Sequence, residues 1–216
     1  MSSWMERRQA ELAAILQLGP VVAVVTIDDA AQAVPMARAL VDGGVRAIEI
    51  TLRTKAALDA IRAVAEQVAD AVPGAGTVLS GHDLAAAERA GAKFAVSPGT
   101  TPELLAAVEK SALPYLPGSS SASEAMWLLA HGYSRQKFFP AEPAGGVDFL
   151  RALAGPLPGI QFCPTGGIRS DNAGDYLQLP NVICVGGSWL TPKNLVQAGD
   201  WQAITGLARA AARLRG

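Results

Sequence analysis

Ala47-Ile48-Glu49-Ile50-Thr51-Leu52-Arg53 is a strand-like run in which, from Ile48 onward, apolar and polar residues alternate. Successive side chains of a strand point to opposite faces, so Ile48, Ile50 and Leu52 share one face and Glu49, Thr51 and Arg53 the other. The apolar face suits contact with covering helices. Three polar side chains in a row on a buried face are costly unless they pair or bind something. Polar residues on one face of a strand whose other face is apolar favour a closed barrel, with the polar face turned inward. A doubly wound open sheet is the main rival, because periodicity does not prove closure.

Working outward, the same alternation of short apolar runs and Ala-rich helical stretches fills the chain. Residues 1–216 read as one domain, with 1–18 an N-terminal helix closed by Gly19-Pro20 and 19–216 the barrel. The strand runs are Val21 to Ile27, Ala47 to Leu52, Ala71 to Val78, Phe94 to Ser97, Tyr115 to Pro117, Lys137 to Phe139, Gln161 to Cys163 and Val182 to Val185. Between them lie helical segments started by capping residues such as Asp28 or Asp29 and Thr101-Pro102, and stopped by glycine at Gly43-Gly44, Gly91 and Gly132. Strand–helix units of roughly 20 to 30 residues predict a single (β/α)8 TIM barrel preceded by an extra helix.

Composition narrows the function. Eighteen Lys and Arg against 19 Asp and Glu give a net charge of −1 over 216 residues, and half the residues are apolar. That balance argues against electrostatic nucleic-acid binding and against disorder. No apolar stretch has the length of a membrane span or the build of a signal peptide, so a cytoplasmic protein without membrane contact is expected. Cys163 and Cys184 read as core thiols. His82 and His131 have no partners at ligand spacing, and no metal site is expected.

Lys137 carries the most information. A lysine at the start of an apolar strand is ordinarily a snorkelling surface residue. Here its face is shared with Phe139, and other strands carry hydrogen-bonding groups on the inward face. A desolvated amine can serve as the nucleophile of Schiff-base chemistry on carbonyl substrates. Glu49 is its natural partner, able to ferry protons or simply to form an ion pair. Arg53, four residues along the same face and nearer the C-terminal mouth, can hold a carboxylate in bidentate fashion. Gly74-Ala75-Gly76-Thr77 is an incomplete nucleotide-loop pattern and reads as a close backbone approach that leaves the Thr77 hydroxyl at the mouth. Thr165-Gly166-Gly167 follows the seventh strand run and Gly186-Gly187-Ser188 the eighth, the two places where barrels of this kind seat a phosphate.

Taken together, Glu49-Ile50-Thr51-Leu52-Arg53-Thr54, Gly74-Ala75-Gly76-Thr77-Val78-Leu79, Ser97-Pro98-Gly99, Lys137-Phe138-Phe139-Pro140-Ala141-Glu142, Phe162-Cys163-Pro164-Thr165-Gly166-Gly167-Ile168 and Val185-Gly186-Gly187-Ser188-Trp189 closely resemble the 2-keto-3-deoxy-6-phosphogluconate (KDPG) and 4-hydroxy-2-oxoglutarate (KHG) aldolases. The resemblance implies a class I aldolase of the Entner–Doudoroff pathway, built as a homotrimer of (β/α)8 barrels and using no metal or organic cofactor. Its reaction would cleave the phosphorylated keto acid to pyruvate and D-glyceraldehyde 3-phosphate, with 4-hydroxy-2-oxoglutarate as a side substrate. It implies Lys137 as the Schiff-base lysine and Glu49 as proton acceptor and donor. Arg53 and Thr77 would bind the pyruvyl carboxylate, Pro98 and Phe139 would line the pocket, and Thr165 would touch the substrate. Gly166, Gly167, Gly187 and Ser188 would hold the phosphate. Pro73 and the loop Ser119-Ser120-Ser121 depart from the family pattern, and the serines bear on how the distal end of the substrate is held. The alternatives are an aldolase for the C4 epimer, 2-dehydro-3-deoxy-6-phosphogalactonate, and a non-aldolase sugar-phosphate-binding barrel in which Lys137 serves only an ion pair.

Overall fold

The computed structural model describes residues 3–214. Helix α1 (Ser3–Leu16) is followed by β1 (Val21–Val25), α2 (Ala33–Asp42), β2 (Ala47–Thr51), α3 (Ala57–Gln67), β3 (Val72–Gly76), α4 (Gly81–Arg89), β4 (Ala95–Val96) and α5 (Pro102–Val108). The chain continues through β5 (Tyr115–Leu116), β6 (Gly118–Ser119), α6 (Ala122–Ala130), β7 (Arg135–Phe138), α7 (Gly146–Ala154), β8 (Gln161–Pro164), α8 (Ala173–Leu177), β9 (Val185–Gly187), α9 (Lys193–Ala198) and α10 (Trp201–Ala212). All strand pairs are parallel: six strands run in the order β5-β4-β3-β2-β1-β9, and β6-β7-β8 form a second sheet.

The strands sort their side chains as alternation demands. Ile48 and Ile50 join the large cluster that includes Ala57, Ala60, Ile61 and Val64 of α3. Each fully buried aliphatic side chain of this kind contributes about 1.5–3 kcal/mol. The opposite faces supply a second cluster, in which Val22, Ala47, Phe94, Val96, Leu116 and Cys163 meet Leu12 and Leu16 of α1. The extra helix thus lies under the N-terminal ends of the strands, where Gln9 Oε1 accepts from the Arg135 backbone N–H at 3.1 Å. At the other end of the chain α10 packs on α2. Gly43 is what lets it in, since a Cβ there would stand 2.4 Å from the Ala208 side chain, and Thr205 Oγ1 donates to the Ala39 carbonyl at 3.0 Å.

Several expected strands differ at their ends, and two differ in their course. The run at Tyr115–Pro117 is split into β5 and β6 because Pro117 has no N–H to give a ladder; its carbonyl still accepts from Lys137 N at 2.8 Å. The expected strand over 182–185 is regular only from Val185 on. Phe162 N–H donates to Asn181 O and Ile183 N–H to Phe162 O, whereas Val185 to Gly187 pair with β1. The segment keeps bridges to the short sheet at Val182 and Gly186 and pairs with the long sheet from Val185 on.

The three serines after Gly118 are engaged within the fold. Ser119 Oγ donates to Gln136 Oε1 at 3.1 Å. Ser121 caps α6 in a capping box with Glu124, and Ser120 donates to the Glu124 carboxylate from both its N–H and its hydroxyl. Those donors, the Ser120 backbone N–H first, hold the Glu124 carboxyl below its ordinary range. A folded-state value below the unfolded one means stabilisation that is full above the ordinary carboxylate range and is lost as pH falls through the folded value. Glu124→Gln is therefore expected to cost about 0.5–1 kcal/mol at pH 7, in keeping with an exposed helix-terminal charge. Urea titrations from pH 7 downward check this: the gap to the unaltered chain should close in acid.

Candidate active site

β7 presents Lys137 to the interior because its neighbours are claimed from outside. Gln136 Nε2 donates to the carbonyls of Ala125 and Tyr133, both at 3.0 Å, and Phe138 stacks on Phe149 of α7 with centroids 5.2 Å apart. Lys137 Nζ lies 2.9 Å from Glu49 Oε1, with the two side chains only 6% and 4% exposed. Glu49 belongs to β2 of the long sheet, so this ion pair spans from one sheet to the other. The Phe139 ring centroid is 5.4 Å from the amine, which places Phe139 on the same side as the strand period predicts. Lys137 is flanked in register by Gly118 of β6 and Cys163 of β8.

Desolvating two opposite charges costs several kcal/mol per ion, and their attraction offsets this only at close range with good geometry. A buried Lys–Glu pair is therefore weak evidence for stability. It is suited to a site that needs an amine nucleophile and a base in contact.

Further along the inward face of β2, Thr51 Oγ1 donates to the Val25 carbonyl at 3.1 Å and lies 2.9 Å from Thr26 Oγ1. Arg53, beyond the strand end and exposed, donates from Nε to Thr77 Oγ1 at 3.1 Å. Thr77 has φ +58°, a left-handed conformation that a β-branched residue rarely adopts and that costs on the order of 1–3 kcal/mol. The backbone carries this strain and presents the hydroxyl to the guanidinium.

The two glycine pairs lie side by side. Thr165, 6% exposed, forms a parallel bridge with Gly186, where a Cβ would stand 2.2 Å from the threonine Oγ1. Gly166 and Gly167 have φ of +100° and +81°, and a Cβ on Gly166 would meet the Phe139 ring at 3.2 Å. The first pair thus borders the lysine's aromatic neighbour. Gly187 backs onto the Trp189 ring, and Ser188 is exposed beyond it. Pro98 is half-buried on β6: a Cβ on Gly118 would stand 2.3 Å from the Pro98 carbonyl carbon.

Sequence reasoning missed several supports. Ser97 Oγ lies 2.5 Å from the Tyr115 hydroxyl and accepts from Gly118 N, while Thr100 Oγ1 donates to Gly118 O at 3.2 Å. These bonds fasten the Pro98 loop to β6. Burial raises the Tyr115 phenol above its ordinary range. Asn172 Nδ2 donates to the Gly167 carbonyl at 3.1 Å and fixes the first glycine loop. Beside Ser188, a cleft of about 530 Å³ is lined by Thr26, Asp28, Asp29, Gln32, Thr191 and Lys193. In sequence, Thr26, Ser97 and Tyr115 read as parts of strand runs and the others as ordinary polar residues, so the available signal was position at or near a strand end.

A family model described as KDPG and KHG aldolase matches residues 12–207. The chain is 54% identical over 197 residues to the 2-dehydro-3-deoxy-phosphogluconate aldolase of Pseudoalteromonas atlantica, covering 91% of this chain and 92% of the relative. It is 51% identical over 211 residues to the KHG/KDPG aldolase of Escherichia coli, covering 98% and 97% of the two chains. Among solved structures, the KDPG aldolase of Legionella pneumophila, with pyruvate captured at low pH as a covalent carbinolamine, superposes with a TM-score of 0.90 at 44% identity, covering 93% of this chain and 97% of the other.

Proposed function

The chain belongs to the KDPG and KHG aldolase family, and on that premise we propose that it cleaves 2-dehydro-3-deoxy-6-phosphogluconate to pyruvate and D-glyceraldehyde 3-phosphate, with 4-hydroxy-2-oxoglutarate as a second substrate. The observation that carries the mechanism is the contact between Lys137 Nζ and Glu49 Oε1 on an otherwise enclosed face. Glu49 takes a proton from the Lys137 ammonium, the freed amine adds to the C2 carbonyl, and return of the proton to the carbinolamine hydroxyl with loss of water leaves an iminium. That cation is the electron sink: the C4 hydroxyl gives up its proton, the C3–C4 bond breaks, and its electron pair becomes the enamine as the aldehyde departs. Protonation of the enamine at C3 and hydrolysis release pyruvate and restore the amine. Glu49 takes and returns the protons.

The remaining residues divide the substrate between them. Arg53 and Thr77 bind the pyruvyl carboxylate, Pro98 and Phe139 line the walls, and Thr165 contacts the substrate. Gly166, Gly167, Gly187 and Ser188 hold the phosphate, for which the adjacency of the two glycine loops is the support. Neither the C4-epimer reading nor that of a non-aldolase phosphate binder is favoured beside relatives at about half identity. Intact-mass and peptide analysis after pyruvate and borohydride should find a reduced pyruvyl adduct on the peptide holding Lys137. Folded protein that forms no adduct would return the lysine to a structural role.

The strands are further read as a closed (β/α)8 barrel spanning one domain. Support comes from the Phe162–Val182 and Thr165–Gly186 bridges, which join the short sheet to the last strand segment, and from α10 returning to α2. A homotrimer in the cytoplasm completes the reading. No helix among the described residues is long and apolar enough to cross a membrane. Light scattering on the purified chain should give three chain masses in solution; a monomer would overturn the trimer.

A further inference from the structure

The Gly74-Ala75-Gly76-Thr77 motif is used by the proposed mechanism only at Thr77. On β3, Val72, Gly74 and Gly76 share the face opposite Ala75, which belongs to the outer cluster. Two glycines on that face leave a flat groove, and each half of it is filled. A Cβ on Gly74 would stand 2.4 Å from the Phe94 ring. A Cβ on Gly76 would stand 2.3 Å from Glu49 Oε1, 2.6 Å from its Cγ and 2.8 Å from its Cδ. The oxygen in that contact is the one 2.9 Å from Lys137 Nζ. Glu49 lies opposite Gly74 in register, so its side chain leans two residues along β3 to rest on Gly76. Backbone conformation does not require the second glycine, because Gly76 is absent from the positions with positive φ.

We infer that Gly76 is a positioning residue, which seats the Glu49 carboxylate against Lys137 by leaving bare backbone where any other residue would place a side chain. Glu49 is almost fully buried and boxed between two sheets, so it cannot swing clear of a methyl group without leaving the amine. Gly76 and Thr77 together then form one device: the first places the proton carrier, and the second presents its hydroxyl to Arg53. The inference rests on the role proposed for Glu49.

The test follows exchange of pyruvate methyl protons with deuterated water, without aldehyde, in Gly76→Ala, Glu49→Ala and the double variant. Borohydride trapping of pyruvate on Lys137 serves as the check that the site remains assembled. Gly76→Ala is expected to slow exchange about 100-fold while still forming the adduct, the size of a displaced proton carrier. Added to Glu49→Ala it should change exchange by less than about twofold, because its effect passes through a carboxylate no longer there. Exchange in Gly76→Ala within about twofold of the unaltered chain overturns the inference, and so does an undiminished effect in the Glu49→Ala background. Wild-type exchange in Glu49→Ala alone overturns the role of Glu49 itself, which separates the two failures. If Gly76→Ala is insoluble, Gly76→Ala with Glu49→Asp decides: the shorter side chain withdraws from the new methyl group and should restore a soluble, trappable protein. A double variant that is also insoluble overturns the inference.

Discussion

Lys137→Ala is expected to reduce cleavage of the phosphorylated keto acid by about 10⁴-fold or more, because the variant loses the proposed nucleophile rather than an auxiliary group. Phe139 lies beside the amine, Gly118 and Cys163 flank Lys137 in register, and none of the three offers a second amine. The same substitution should lower stability by about 3–5 kcal/mol, since Glu49 is left buried without its partner. That loss falls within the usual stability of a domain, about 5–15 kcal/mol, so the chain is expected to fold. Activity and denaturant titration of Lys137→Ala beside Lys137→Ala/Glu49→Ala separate the two effects. The double variant should recover much of the stability and none of the turnover. Residual turnover above about one per cent in either would remove the covalent mechanism.

Glu49→Gln makes the complementary change. It keeps the length, the volume and a hydrogen-bonding oxygen, and removes the negative charge and with it the ability to accept a proton. Proton transfer by a placed side chain contributes about 10²–10⁴-fold, so enamine formation should slow by about 100-fold or more. Pyruvate methyl exchange reads that step directly, and borohydride trapping after long incubation should still find the adduct on Lys137. Exchange at the unaltered rate would assign the protons to another group and leave Glu49 as a counter-ion. Glutamine in place of the carboxylate leaves the Gly76 groove filled, so this variant tests the chemistry of residue 49 without disturbing its seat.

These two substitutions probe what was most legible in the sequence. Alternation in Ile48–Arg53 was enough to put Glu49 and Thr51 on one face, and the structure buries both. Lys137 and Phe139 were assigned one face by the same rule, and the ring does lie beside the amine. Strand and helix order was readable because apolar runs and helix starts such as Thr101-Pro102 leave local signatures. The ends of elements were less so. Pro117 broke one strand, and residues 181–187 pair with both sheets, which no local pattern encodes.

The sequence by itself determined which residue types face inward, where helices start and stop, and which motifs place the chain in its family, because each depends on neighbours a few positions apart. Tertiary structure decided the rest. Glu49 and Lys137 are 88 residues apart in the chain, and their 2.9 Å contact exists only because two sheets face each other. Gly76 looks like any strand-end glycine until the Glu49 carboxylate is seen lying on it. Ser97, Tyr115 and Thr100 became supports for the Pro98 loop only when neighbouring strands brought their partners within reach, whereas Asn172 holds the Gly167 carbonyl within its own loop. Side-chain direction follows from local covalent geometry, whereas the distance between two side chains depends on how every intervening element packs.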